Sequence, residues 1–515
     1  MTTPLGTQRK PAVTSARPRE SASTLHVRQL GFVAALASLS GVFWVVGGME
    51  MIERLAFYGV KAVAALYATA SSRDGGLGIS ATMFGDVLML WALVQSLLPV
   101  FVGGLSDRYG YRRTILVSTV VKILGYLTMA WLPSYPGFFA GALLLATGTA
   151  IFKPGIQGTL VHATQRESSS MAWGIFYQLV NVGGWLGPLV AAYLRSRLSW
   201  TFVFYACACI IAVNFVLLLT YRDPASSLHV RIGRPTRSLW RESVDELRRP
   251  QVWSYLAIFS GFWFMFNALF DVLPLHVRDW VDTRSLVQAV FGAHGITRPS
   301  LAFLVGADPT GQFIQPEGML NLNAGLIMTT CFFFAWLSGK LRPTTSMVLG
   351  TLLASVAMVL TGFSMLGVTS ALAIGIFSVG EMFSSPKFSE FIGNMAPRSK
   401  TAMYLGFSQI PLAVGWTLEG KLGPHLYDLY ASKDRFARLM LVDRGMSTHA
   451  AQAIPQGEAF ERLVKLTGLP PETLTHQLAE QHHIGIVWWV MAVVGVVTAL
   501  GIFLYARAHV AKPSE

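Results

Sequence analysis

Apolar residues in this chain gather into long unbroken runs, unlike the alternating or one-faced patterns of water-soluble strands and helices. Twelve runs reach about 20 residues or more, the length a helix needs to cross a bilayer. They fall near 37–69, 81–104, 114–132, 137–162, 171–195, 200–221, 252–275, 319–339, 345–366, 370–395, 401–429 and 483–506. Gly and Pro inside them do not disqualify helices in lipid, where neighbouring helices re-satisfy the backbone. The polar stretches between them give the organisation. Residues 1–36 are rich in Ser, Thr, Pro and Arg and read as a disordered tail, too polar for the core of a signal peptide. Residues 222–250 form a basic linker, with Arg222, Arg231, Arg234, Arg237, Arg241, Arg248 and Arg249. The linker divides the runs into a six-helix unit over 37–221 and a second over 251–508, followed by a short tail at 509–515. The second unit carries a polar insertion at 431–482, in which short helices are expected over 460–466 and 472–480, separated by Leu-Pro-Pro. The loop between 280 and 318 is long and mixed.

Composition agrees with a membrane protein. The 515 residues are 53% hydrophobic and 13% charged, with mean hydropathy +0.49. A soluble chain carries about twice that charge. The net charge of +13 would suit nucleic acid, but its placement argues against that partner. Lys and Arg concentrate on the side holding the N-terminus and the 222–250 linker, and such loops stay in the cytosol. Both termini are therefore expected in the cytosol of a plasma-membrane protein (the inner membrane in a bacterium), with the insertion outside. The bilayer is the expected partner of a monomer. Cys207, Cys209 and Cys331 lie within apolar runs and read as small apolar residues.

Charge inside the apolar runs is the exception. Glu50, Glu53, Arg54, Phe57 and Lys61 share one face of a helix through the first run. Glu53 and Arg54 fall near the bilayer midplane. Charge at that depth is costly and normally faces a polar cavity where it functions. Lys153 in the fourth run and Glu381 in the tenth are placed similarly. Lys122 in the third run has no partner evident from sequence. His482 and His483 form the only adjacent His pair, with no carboxylate arranged about them, so an enzyme reading is disfavoured. No metal or cofactor is expected beyond the proton.

Several of these stretches resemble known signatures. Gly103-Gly-Leu-Ser-Asp107-Arg108-Tyr-Gly110-Tyr-Arg112-Arg113, between the second and third runs, resembles the loop signature G-x-x-x-D-R-x-G-x-R-R of the major facilitator superfamily. The six-plus-six layout with a cytosolic middle linker matches that superfamily too. Glu50-Met-Ile-Glu53-Arg54-Leu-Ala-Phe57-Tyr58-Gly59 resembles E-x-x-E-R-F-x-Y-Y-G of its proton-dependent oligopeptide transporter family. Gly148 to Gly155 resembles that family's G-x-G-x-x-K-P-N, and Phe176 to Gly184 its F-Y-x-x-I-N-x-G-S. In the second half Gly380-Glu381 to Pro386, followed by Ala396-Pro397-Arg398, resembles G-E-x-x-x-x-P and A-P-K/R. Departures are Leu55, Phe57, Gly155 and Gly184 within the motifs, Lys61 where the family has Arg, Ser96 where a Tyr is expected, and Asn267 where many members carry an acid.

The resemblance implies an all-α integral membrane fold of 12 transmembrane helices in two six-helix bundles. It implies proton-coupled import of small peptides or peptide-like solutes by alternating access. Glu50, Glu53, Arg54, Lys153 and Glu381 would couple protons, with a Lys153–Glu381 bridge between the bundles. Tyr58, Lys61, Asn181, Trp263, Asn267, Asn323 and Glu381 would bind substrate, Asn323 being a better match than Asn321. Asp107 and Arg108, and a Lys61–Asp271 outer pair, would serve gating. The alternatives are a drug/proton antiporter of the same superfamily and a relative of the peptide carriers that moves a non-peptide metabolite.

Overall fold

The computed structural model describes residues 36–164, 169–221, 241, 244–395, 404 and 406–509. Most of the expected tails and of the 222–250 linker lie outside these. Among the described residues twelve helices have 21 residues or more: α1 (Gly41–Thr69), α2 (Ala81–Tyr109), α3 (Tyr111–Trp131), α4 (Tyr135–Ala163), α5 (Ser169–Arg197), α6 (Trp200–Thr220), α7 (Pro250–Asp271), α8 (Pro316–Gly339), α9 (Pro343–Phe363), α10 (Gly367–Met395), α11 (Gln409–Tyr430) and α12 (Ile486–His509). Nine of them are also apolar enough to cross a membrane; α1, α8 and α11 complete the set. Two of these three, α1 and α11, carry several charged residues.

Local chemistry sets the helix starts. Ser40 caps α1 by accepting the amide of Phe43, and Ser134 caps α4 through Gly137. Proline opens α7, α8 and α9, where its missing N–H has no helical partner to lose. The seventh run does not continue to 275 as one helix. It ends at Asp271, and a separate helix, Leu273–Trp280, begins where Pro274 cannot donate back into the preceding turn.

The packing repeats with a shift of six helices. In the first half α1 packs on α5 and α6, α2 on α4, and α3 on α4 and α6. In the second half α7 packs on α11 and α12, α8 on α10, and α9 on α10 and α12. The halves meet along α2–α11 and α5–α8, contacts that exchange under the same shift. Two six-helix bundles related in this way are the fold read from the sequence. Gly183 permits close approach within the first: a Cβ there would lie 2.3 Å from the backbone oxygen of Met51. That contact holds α1 flat against α5 at the level of Arg54.

The insertion is more ordered than its sequence suggests. Besides helices Ala459–Thr467 and Pro471–Gln481, it forms Lys433–Asp443 and Thr448–Ala453. Phe436, Met440, Leu441, Leu463, Leu474 and Leu478 are buried in it and continue the core of the helices below. Arg438 ties it together, pairing with Asp434 and donating to the carbonyl oxygens of Ala451 and Ile454. His482 stacks on Phe436 with ring centroids 3.8 Å apart, a packing role for that residue. The insertion reaches across to the first half, where Arg73 pairs with Glu458 and Glu461.

Candidate functional site

The charged face of α1 points into the first bundle. Arg54 Nε donates to Glu50 Oε1 at 2.9 Å, and Arg54 Nη2 lies 2.8 Å from Glu53 Oε2. Glu53 Oε1 receives Lys122 Nζ from α3 at 3.4 Å and the Thr149 hydroxyl from α4 at 3.3 Å. Lys122 also sits 3.6 Å above the ring of Phe152, and Arg54 packs over Phe57. Glu50, Glu53, Arg54 and Lys122 are all buried. Lys153, half-buried on α4, forms no ion pair with a described residue. With every group ionised, the cluster and Lys153 together carry one positive charge in excess.

Across the junction, Glu381 on α10 accepts from Asn323 Nδ2 of α8 at 3.0 Å, and the same amide donates to Ser378. Glu381, Asn323, Asn321, Tyr58, Asn181 and Phe270 line a cavity of about 70 Å³ between the halves. Pockets for drug-sized molecules run to about 300–1,000 Å³. This space holds little more than water until the halves separate.

Lys61 lies beyond this cavity, toward the insertion. It pairs with Asp271 of α7, over the ring of Trp416 at 4.5 Å, while Trp416 Nε1 donates to Asp271 Oδ2 at 3.0 Å. Further ties between the halves lie on the same side: Asp86 with Lys421, Thr82 with Asp428, and Arg195 with Glu317 at 2.6 Å. The described structure is closed on the insertion side.

The Major Facilitator Superfamily model matches residues 51–418, most of the chain. The chain belongs to this superfamily. Within it, the chain is 29% identical to the peptide transporter YePEPT of Yersinia enterocolitica over 32% of each protein. It is 22% identical to the multidrug resistance protein MdtH of Edwardsiella ictaluri over 68% of this chain and 79% of that one. The peptide transporter match thus spans about a third of that relative's length. Among solved structures, a peptide transporter POT in complex with sulfate superposes with TM-score 0.66 at 14% identity, covering 93% of this chain and 96% of the other.

For this superfamily member the structure gathers some expected residues and separates others. Glu50, Glu53 and Arg54 form one cluster, and Tyr58, Asn181, Asn323 and Glu381 face one cavity. Trp263 and Asn267 do not line that cavity: Asn267 turns back to donate to the Trp263 carbonyl at 2.7 Å, within its own helix. Lys61 is also absent from the cavity wall, because Asp271 holds it. The Lys153–Glu381 bridge is not formed. Glu381 bonds Asn323 instead, and α4 and α10 are not the helices along which the halves meet. The side chains of Asp107 and Arg108 lie outside the described residues.

Three residues were not assigned to the site from sequence. Lys122 is a partner of Glu53, and the signal was available: Glu50 and Glu53 flank a single arginine, and a lone lysine mid-run has to meet a carboxylate. Asn321 lines the cavity with an Oδ1 that accepts no hydrogen bond from a described residue. Glu419 is fully buried beside Asp271.

Proposed function

We propose that this chain is a proton-coupled symporter importing small peptides or peptide-like solutes by alternating access. The observation that carries this reading is the buried set of Glu50, Glu53, Arg54 and Lys122, with Lys153 beside it and Glu381 across the cavity. Protonating Glu53 or Glu50 removes a negative charge from a site already one positive charge in excess. The freed cations then favour a substrate carboxylate, with Lys153 available from the start. Binding that carboxylate in turn favours holding the proton, since linkage is reciprocal. Glu381 suits a substrate amine, Asn181, Asn321 and Asn323 suit peptide-bond groups, and Tyr58 suits a side chain. The similarity to YePEPT in sequence supports peptides as the cargo.

The side holding the termini is taken as cytosolic, the insertion as external, and the protein as a monomer in the plasma membrane. The described arrangement then has its external side closed. Opening it breaks Lys61–Asp271, and bringing Lys153 to Glu381 closes the cytosolic side. The halves rock about a fixed central site.

Reconstituted protein should accumulate dipeptide under an inward proton gradient, and an ionophore should abolish this. Glu53→Gln should lose the accumulation while retaining exchange of labelled for unlabelled peptide. Accumulation unchanged in Glu53→Gln would sink the coupling assignment. A second reading, proton-driven drug export, has its own support: the similarity to MdtH spans twice as much of the chain as that to YePEPT. Expulsion of a hydrophobic cation with no uptake of peptide would favour it.

A further inference from the structure

Glu419 lies midway along α11, one turn beyond Trp416, and is completely shielded from solvent. Its carboxylate faces that of Asp271 on α7, with Lys61 of α1 in electrostatic range. Neither Glu419 oxygen receives a hydrogen bond from a described residue. Room for the group comes from Gly423, where a Cβ would lie 2.2 Å from Glu419 Oε1.

Asp271 is already committed. One oxygen takes Lys61 and the other takes Trp416 Nε1. Other titratable groups on the packed elements are engaged elsewhere: Asp86 of α2 with Lys421 of α11, Asp428 of α11 with Thr82, and His425 beside that same hydroxyl. His276, on the helix after α7, packs its ring against Trp488. The buried gate therefore holds two facing carboxylates and a single lysine. Two carboxylates in contact form a hydrogen bond only when one carries a proton, and a pair sharing one site titrates as a unit. A second uncompensated charge at this depth is costly.

We propose that Glu419 is a proton latch of the outer gate. With the gate closed, Glu419 brings a proton and donates it as a hydrogen bond to Asp271. Loss of that proton to the external side leaves two negative charges against Lys61, and the halves part there so that water reaches both. The latch is separate from the Glu50–Glu53 cluster, and its outward sense rests on the orientation adopted under Proposed function.

The test reads gate position without any substrate. Ala62 lines the central cavity and is buried. Ala62→Cys, in a chain with Cys207, Cys209 and Cys331 changed to Ala, is expressed in intact cells and exposed to a membrane-impermeant maleimide added outside. Labelling, divided at each pH by that of an exposed cysteine on the insertion (Thr473→Cys in the same background) to remove the thiol's own pH dependence, should rise several-fold as external pH goes from mildly acidic to mildly alkaline. With Glu419→Gln added, which keeps a donor for Asp271 but cannot ionise, labelling should stay at its acidic level throughout. Glu419→Met, an apolar replacement of similar volume, should also give a flat profile and serves if the Gln variant does not reach the membrane. A pH-dependent rise in either variant that matches the parent overturns the proposal. So does a parent whose labelling does not change with pH. Failure to transport peptide would remove the symport reading and leave this readout standing. An unchanged latch signal in Glu53→Gln would show the two proton sites to be separate.

Discussion

Lys122 Nζ lies 3.4 Å from Glu53 Oε1, joining α3 to the charged face of α1 inside the first bundle. Arg54 holds the other oxygen of the same carboxylate at 2.8 Å. Glu53 thus sits between two cations from different helices, so a proton arriving on it loosens two contacts together.

Removing the lysine tests that relationship. Lys122→Met should destabilise the protein by about 3 kcal/mol, the low end for breaking a buried pair because Arg54 remains. It should also reduce gradient-driven accumulation several-fold. Adding Glu53→Gln should recover stability, because the carboxylate is no longer uncompensated, without recovering accumulation. Thermal unfolding of the four proteins in detergent gives the coupling energy directly. Additive losses would show that the two side chains do not interact.

The Lys61–Asp271 pair makes a second prediction. Lys61→Ala leaves Asp271 and Glu419 buried with no cation and should abolish accumulation. The exchange Lys61→Asp with Asp271→Lys should restore part of it, since the attraction is kept while the Trp416 donor loses its acceptor. No restoration by the exchange would point to a role of Lys61 beyond the pair.

Lys153 and Glu381 are apart with the insertion side closed. Cysteines at these two positions should cross-link only under conditions that open that side, and the cross-link should stop transport. Efficient cross-linking in the closed-outside state would contradict this packing of α4 and α10.

The insertion offers a pH test away from the membrane. Burial pushes Lys433 down from its ordinary value of 10.5 to about 8, partly countered by Asp279. Its cation also rests 4.1 Å from the ring centre of Phe460. Between these two values the unfolded chain binds more protons than the folded one, so stability should rise with pH through that window. Below about 8 both states are protonated and the penalty is constant. Lys433→Met should raise the melting temperature at neutral pH and flatten the rise above it. A wild-type melting temperature that falls steadily from pH 8 upward would argue against the burial.

Much of the fold was legible because lipid makes local pattern decisive. A run of about 20 apolar residues has no stable alternative to a helix in a bilayer. The charged face of α1 was legible for the same reason, since its residues are neighbours on one helix. The boundaries that shifted have local physical causes: Pro274 ends α7 early, and the Ser432 cap on a polar stretch starts a helix that the apolar count overlooked.

The sequence by itself determined which segments are helices, that they divide six and six, and that Glu50, Glu53 and Arg54 share one helix face. Tertiary structure alone decided their partners. Lys122, Asn321 and Glu419 come from α3, α8 and α11, and the fold, not their neighbours in sequence, brings them to the charged face of α1, the central cavity and the Lys61–Asp271 pair. It also decided which pairs exist now, Lys61 with Asp271 but not Lys153 with Glu381. A carrier of this fold has two arrangements of the same helices, and a one-dimensional pattern holds the contacts of both without saying which is formed.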